Sequence, residues 1–237
     1  MKSLKETNSS QECHGKWYGD ACGTAFAMEV VGERWSLLIV RELLLGGRRF
    51  SDLRRVLPGI SAKVLTERLG GLEAAGVLVK RHLPPPASMQ IYELTEWGYT
   101  IEPAIQELGR WAARSVLHDP MLPLSAVSLM ISMRTMLDRE GAKAFDAVVG
   151  FDVAGEMFVA ELRNGELPIR RVDTVDAPVI FRAQNAMAVA ALLYPKIPME
   201  ALEAEAGLVV EGDRELAKRY AALFSLPPKM GAPAGAP

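Results

Sequence analysis

Along the first third of the chain, apolar residues recur at spacings of three and four, and glycine or proline breaks each run. Residues 24–31 have helical character, with Thr24 as candidate N-cap and Gly32 as the break. In the next run Trp35, Leu38, Ile39, Glu42 and Leu45 fall near one helical face. Leu37, Val40 and Leu44 widen the apolar band, and Gly46-Gly47 ends it. A short helix is predicted over 50–57 from Leu53, Val56 and Leu57, with Arg49 or Ser51 at its start. Pro58-Gly59 makes a turn. Ser61 then caps a longer helix carrying Val64, Leu65, Leu69, Leu72 and Ala75, which Gly76 stops.

The period then changes. Val77-Leu78-Val79 and Ile91-Tyr92-Glu93-Leu94 have strand character, and the polar, proline-rich KRHLPPPASMQ between them reads as the long tip of a hairpin. Thr95 caps a further helix over 95–117, in which Pro103 either makes a kink or marks the first part. A short helix, a tight Pro-Gly turn and a capped second helix make a helix-turn-helix, and the hairpin after it makes a wing.

Residues 118–124, with two prolines, read as a linker. A helix rich in Met and Leu follows over 124–137. Period two returns at 145–153, 157–162, 167–172 and 179–181, with Asn164-Gly165 as a hairpin turn. Helices at 186–194 and 199–206, a strand at 208–210, a Gly212-Asp213 turn and a helix at 214–224 complete the pattern. The expected fold is a mainly α winged helix-turn-helix domain at 20–117 and an α+β domain with a mostly antiparallel sheet at 124–226. A disordered arm at 1–19 and a Pro/Gly/Ala-rich tail at 227–237 flank them.

Composition narrows the function classes. With 49% hydrophobic and 24% charged residues, the 237-residue chain has material for one or two cores. It has no apolar run of about 18 residues and no apolar signal core at its start, so a cytoplasmic protein with no membrane partner is expected. Cys13, Cys22 and three histidines lack zinc spacing, and no nucleophile elbow or phosphate-binding glycine loop is present. No metal, cofactor or enzymatic activity is therefore expected. The net charge of −2 argues weakly against nucleic acid, but residues 41–81 hold nine basic against four acidic side chains.

That basic segment contains the candidate DNA contacts. Ser61, Lys63, Thr66, Glu67 and Arg68 lie on the fourth helix, where a helix start can meet phosphate and base edges. Arg48 and Arg49 precede the short helix, with Ser51, Arg54 and Arg55 on it. Lys80, Arg81 and His82 stand at the wing root, suited to backbone or minor groove. A solvated, charged surface is the competing reading of each group.

Residues ~20–115 resemble the HxlR-type winged helix-turn-helix regulators, relatives of the MarR group. The resemblance rests on Cys22, on VVGERWSLLIVRELLLGGRRFSDLRRVLPGISAKVLTERLGGLEAAGVL and on IYELTEWG. It implies a homodimer joined through its N- and C-terminal helices and a recognition helix at Ser61–Ala75. It also makes the first helix region and Trp111 interface or core elements. Family members usually carry Cys-Pro at the start of the domain, whereas Cys22 is followed here by Gly23. Some members use that cysteine as a thiol switch, and Cys22 serves if the helix start lowers its pKa. The competing reading is a small buried interface residue.

Residues ~124–225 resemble the sterol carrier protein-like lipid-binding fold. FDAVVGFDVAGEMFVAELRNGELPIRRVDTVDAPVIFRAQNAMAVAALLY and LVVEGDRELAKRYAALF carry that likeness. The resemblance implies an apolar tunnel, for which Phe145, Phe151, Phe158, Phe181, Leu192, Leu193 and Tyr194 are candidate lining residues; a packed core is the alternative. The expected function is a homodimeric repressor. It would bind a pseudo-palindromic operator with half-sites about 34–36 Å apart and sense a small apolar or aromatic ligand. A thiol-sensing regulator acting through Cys22 and a hydrophobic-ligand carrier with a dimerising wing domain are the alternatives.

Overall fold

The computed structural model describes residues 18–85 and 88–231. Residues 1–17 of the expected arm at 1–19, two wing-tip residues and the end of the tail lie outside the described residues. The chain divides into two compact units: residues up to Val40 with Arg48–Gly98, and Arg41–Gly47 with Tyr99 onward.

In the first unit the predicted order of elements is present. Helix α1 (Gly23–Val31) starts one residue before Thr24, with Cys22 in extended conformation at the N-cap. Helices α2 (Ser36–Leu43) and α3 (Phe50–Val56) follow. Helix α4 (Ala62–Ala74) begins where Ser61 Oγ accepts the Val64 N–H at 3.2 Å. Leu65, Leu69 and Leu72, spaced at four and three residues, form its fully buried stripe. They pack in a core that also buries Val31, Ile39, Leu53, Leu57 and Val77.

Strands β1 (Leu78–His82) and β2 (Gln90–Leu94) pair antiparallel from Leu78↔Leu94 to His82↔Gln90. Arg48 extends this two-stranded sheet by exchanging both backbone hydrogen bonds with Tyr92, at 2.9 and 2.8 Å. The wing root is closed by Thr95, whose hydroxyl donates to the Gly76 carbonyl at 2.8 Å and accepts the Gly98 N–H at 3.0 Å. Helix α5 (Glu96–Tyr99) is thereby drawn against β1, and a Cβ on Gly98 would overlap the Val77 carbonyl oxygen.

The single helix expected over 95–117 is two. Helix α6 (Glu102–Ala113) starts afresh with Pro103 in its first turn, where the missing N–H costs nothing. The division between the units also differs from the expected linker at 118–124: α6 belongs with the second unit. The reason is a set of ties from α6 to helix α7 (Ala126–Met136). Arg134 pairs with Glu102 at 2.7 Å, both largely buried, and also donates to the Ile169 carbonyl at 2.5 Å. Arg110 donates to the Thr135 carbonyl at 2.5 Å.

Helix α7, capped by Ser125, is buried on nearly all sides. A five-stranded sheet lies with it, in the order β5-β4-β3-β6-β7. Strands β3 (Ala147–Val153), β4 (Glu156–Leu162) and β5 (Ile169–Val172) form a meander. Its two turns, Ala154-Gly155 and Asn164-Gly165, have positive φ at both central residues, the geometry that matches strand twist. The chain then crosses to β6 (Val179–Ala183), which runs parallel to β3. The crossover lies close over β3, since a Cβ on Gly150 would overlap Val175. Helices α8 (Ala186–Leu193) and α9 (Met199–Glu205) lead to β7 (Val209–Gly212), antiparallel to β6, and helix α10 (Arg214–Ala222) ends the unit. Three of the four strand pairings are antiparallel, in keeping with the expected mostly antiparallel sheet, and the crossover adds the parallel β3–β6 pair that makes it mixed.

Within the expected tail at 227–237, Lys229 and Met230 are tied to the end of α6. Lys229 donates to the carbonyls of Ala113, Ser115 and His118 at 2.9–3.0 Å, and Met230 N–H bonds the Arg114 carbonyl at 2.7 Å. A cation meeting the exposed carbonyls at the end of α6 holds this segment in place.

Two outcomes follow for stability, each read from a denaturant midpoint. Gly98→Ala is expected to destabilise the first unit by about 2 kcal/mol, through overlap with backbone that has nowhere to move. Tyr220 is fully buried against Phe151 and Phe224, and its hydroxyl has no hydrogen-bond partner among the described residues. Tyr220→Phe is therefore expected to leave stability unchanged or raise it by about 1 kcal/mol; a loss of that size would show that the hydroxyl is satisfied in solution.

Candidate nucleic-acid interface

The buried leucine stripe of α4 decides which of its side chains face water. Ser61, Lys63, Thr66 and Glu67 are all exposed on the opposite side. Lys63 is 85% exposed, with Glu67 at 4.0 Å as its ion-pair partner. Thr66 returns its hydroxyl to the Ala62 carbonyl at 2.9 Å, leaving its methyl and one lone pair outward. Arg49, the extended residue that caps α3, is exposed, and its Nε–H points to Met89 Sδ at 2.7 Å, in the wing just before β2. Ser51, Arg54 and Arg55 are also exposed on α3, with Asp52 at 3.6 Å from Arg55.

Other candidates are placed differently. Arg48 is 4% exposed, so it belongs to the interior beside the wing rather than to a phosphate clamp. Its place in the β-bridge to Tyr92 is the physical reason. Arg68 turns back toward the α1–α2 connection, hydrogen bonding the Glu33 carboxylate at 3.1 Å and the Arg34 carbonyl at 3.3 Å. At the wing, Lys80, Arg81 and His82 are exposed, but two of the three are matched by carboxylates. Lys80 lies 3.1 Å from Glu73 and Arg81 lies 2.7 Å from Glu93. The hydrogen bond and charge of Glu73 raise the Lys80 pKa further, so it stays protonated throughout the neutral range.

Sequence reading missed Glu73 and Glu93 as partners of the wing cations. For Arg81 and Glu93 the signal lies in the register: Arg81 opposes Ile91, so Glu93 is its diagonal neighbour. Glu33 was also missed, and Trp35, expected on the face of the second helix, stands just before it at φ +82°, because nothing in the local spacing indicates that their turn meets a helix more than thirty residues on.

Cys22 is exposed, and the N–H groups of Thr24 and Ala25 at the open end of α1 hold its thiol pKa below the ordinary value, with the Thr24 hydroxyl assisting. No group of His, Cys, Asp and Glu suited to a metal ion occurs among the described residues. No described helix is long and apolar enough to cross a membrane.

Three of the seven candidate ligand-lining residues, Phe151, Phe158 and Phe181, are cross-strand neighbours. All three are fully buried, as is Leu193, with Leu192 nearly so. Phe151 and Phe181 stack at 5.5 Å. Arg219 lies 4.3 Å over the Phe145 ring, and Tyr194 OH meets Ser132 Oγ at 2.5 Å. Burial pushes the Tyr194 phenol up to about 12. A cleft of about 470 Å³ in this unit lies elsewhere, among Glu102, Gln106, Arg134, Arg139, Glu166, Leu167 and Pro168.

The HxlR-like helix-turn-helix family matches residues 30–119. The chain is 42% identical over 87 residues to YvaP of Bacillus subtilis strain 168, an uncharacterised HTH-type transcriptional regulator, covering 36% of this chain and 80% of YvaP. It is 37% identical over 86 residues to the HTH-type transcriptional regulator YodB of the same strain, covering 36% of this chain and 77% of YodB. The solved structure of reduced YodB from B. subtilis is 34% identical and aligns with 41% of this chain and 98% of its own, at a TM-score of 0.38. On its helix-turn-helix, its wing and these relatives, the chain belongs to the HxlR-like helix-turn-helix family of transcriptional regulators.

Proposed function

We propose that the chain is a non-enzymatic, homodimeric transcriptional repressor that inserts α4 into the major groove of a pseudo-palindromic operator. The observation that carries this reading is the capped start of α4, with Ser61, Lys63, Thr66 and Glu67 outward and three leucines inward. Arg49 then serves the phosphate backbone beside α4, and Arg81 with His82 serves it from the wing. Dimerisation is supported by apolar side chains left in water on two helices: Phe26 and Met28 on α1, and Leu108 and Trp111 on α6, with Trp111 75% exposed. After α6 the second unit runs helix, three-strand meander, crossover strand, two helices, strand and closing helix, which we read as a sterol carrier-like arrangement. That order supports a role in sensing a small apolar ligand. A ligand reaching Phe151, Phe158 and Phe181 would have to displace side chains that are fully buried.

The test is binding to a duplex selected by the full chain from a random-sequence library, measured across a salt series against a scrambled duplex. Lys63→Ala and Arg49→Ala are each expected to weaken binding about tenfold. Loss of a phosphate contact should also lower the slope of log affinity on log salt by about one per site. Unchanged affinity in both variants would remove α4 and the α3 cap from the interface.

A second reading, thiol sensing, is favoured by the exposed, pKa-lowered Cys22. A lowered pKa means that thiolate persists at pH values where an ordinary cysteine is protonated, and that reactivity falls as pH drops through the lowered value. In a Cys13→Ser background, alkylation of Cys22 by iodoacetamide is expected to show its midpoint below the ordinary thiol value of about 8.5. Treatment should then change operator affinity in that protein and not after Cys22→Ser. A midpoint at or above that value would remove the basis of this reading.

A further inference from the structure

Arg68 lies in the second turn of the helix assigned to DNA, where a basic side chain invites reading as a phosphate ligand. Its guanidinium is instead occupied within the protein. Nη2 donates to Glu33 Oε2 at 3.1 Å and Nε donates to the Arg34 carbonyl at 3.3 Å. Its side chain is 26% exposed, against 85% for Lys63 on the same helix. A planar guanidinium held by two acceptors has fixed direction as well as attraction.

The turn that Arg68 grips is itself over-determined. Trp35 sits at φ +82°, in the left-handed region that bulky residues avoid. The Arg34 guanidinium lies 5.2 Å over its ring. The ring edge reaches Gly59, where a Cβ would stand 3.8 Å away, in the Pro58-Gly59 turn that leads into α4. Ser36 N–H and Ile39 N–H close the turn onto the Glu33 and Trp35 carbonyls at 3.0 and 2.8 Å. Residues 33–35 therefore hold α4 at two places: its approach, through Trp35, and its second turn, through Arg68.

We propose that Arg68 is a positioning residue. Bound to Glu33 and the Arg34 carbonyl, it sets the rotation of α4 against the α1–α2 turn so that Ser61, Lys63, Thr66 and Glu67 face the duplex, and it makes no DNA contact. The proposal rests on the DNA-binding reading above. Its consequence runs against simple charge counting: the acidic Glu33 contributes to affinity for a polyanion. A carboxylate near DNA with no such task would weaken binding, and its neutralisation would tighten it.

The experiment compares the full chain with Glu33→Gln, Arg68→Gln and the double variant, using the selected duplex across a salt series. A partly exposed pair of this kind corresponds to about a threefold effect for each protomer, and so about tenfold for a dimer on two half-sites. Glu33→Gln is expected to weaken binding by that factor with the salt slope unchanged. Arg68→Gln is expected to do at least as much, again without a change of slope, and the double variant to be no weaker than Arg68→Gln. Tighter or unchanged binding by Glu33→Gln, or a slope reduced by about one per protomer in Arg68→Gln, would overturn the proposal. Amide hydrogen exchange of the DNA-free protein gives a readout independent of DNA. Faster exchange in the first two turns of α4 is expected in both single variants, with melting temperature near that of the parent, and unchanged exchange would overturn the tether. If library selection enriches no duplex, the regulator reading fails, and exchange alone decides the tether.

Discussion

Three leucines turned inward govern the first unit. Leu65, Leu69 and Leu72 have no stable place but the core, and burying each contributes about 1.5–3 kcal/mol. Once they are inward, the rotation of α4 is largely fixed, and Lys63, Thr66 and Glu67 face out. The Ser61 cap then fixes where the helix begins, and so which residues stand at its N-terminal end. Polar display is thus a by-product of apolar burial. What burial alone leaves loose is the last few degrees of rotation and tilt, which depend on directional bonds such as those made by Arg68.

The interface is a mixture of committed and uncommitted charge. Lys80 and Arg81 stand at the wing root with carboxylates beside them, and exposed pairs of this kind contribute little to stability. Their effect is on the field that the wing presents. Lys63, with its partner at the limit of an ion pair, keeps most of its charge for a ligand. Counting nine cations in the segment therefore overstates the positive potential, and the pairing pattern places it more narrowly at the start of α4 and the cap of α3.

Much of this was legible in the sequence because it is local. Ser61 before an apolar-periodic run, Gly76 at its end, Asn164-Gly165 between strands and Pro58-Gly59 before α4 each act through their own backbone. Their signals survive without tertiary information. What was not legible depends on contacts between distant segments. Arg48 reads as a surface cation until the Tyr92 bridge takes it inside. Phe151, Phe158 and Phe181 have the same alternation whether they line a tunnel or fill a core, and their burial and the 5.5 Å stacking of Phe151 on Phe181 come from pairing between strands that alternation does not reveal. The direction of β6 was equally hidden, because period two is the same in parallel and antiparallel strands.

The buried Arg134–Glu102 pair has a consequence for modularity. The family match runs through α6, yet that helix is mechanically a member of the following unit, fastened by Arg134 and Arg110 and held at its end by Lys229. Severing the chain near residue 119 would leave Glu102 without its guanidinium and strip the far end of the helix of its cation. The inherited module and the load-sharing body are therefore cut at different places. The last helix of the family module thus rests on a frame that the family match does not include.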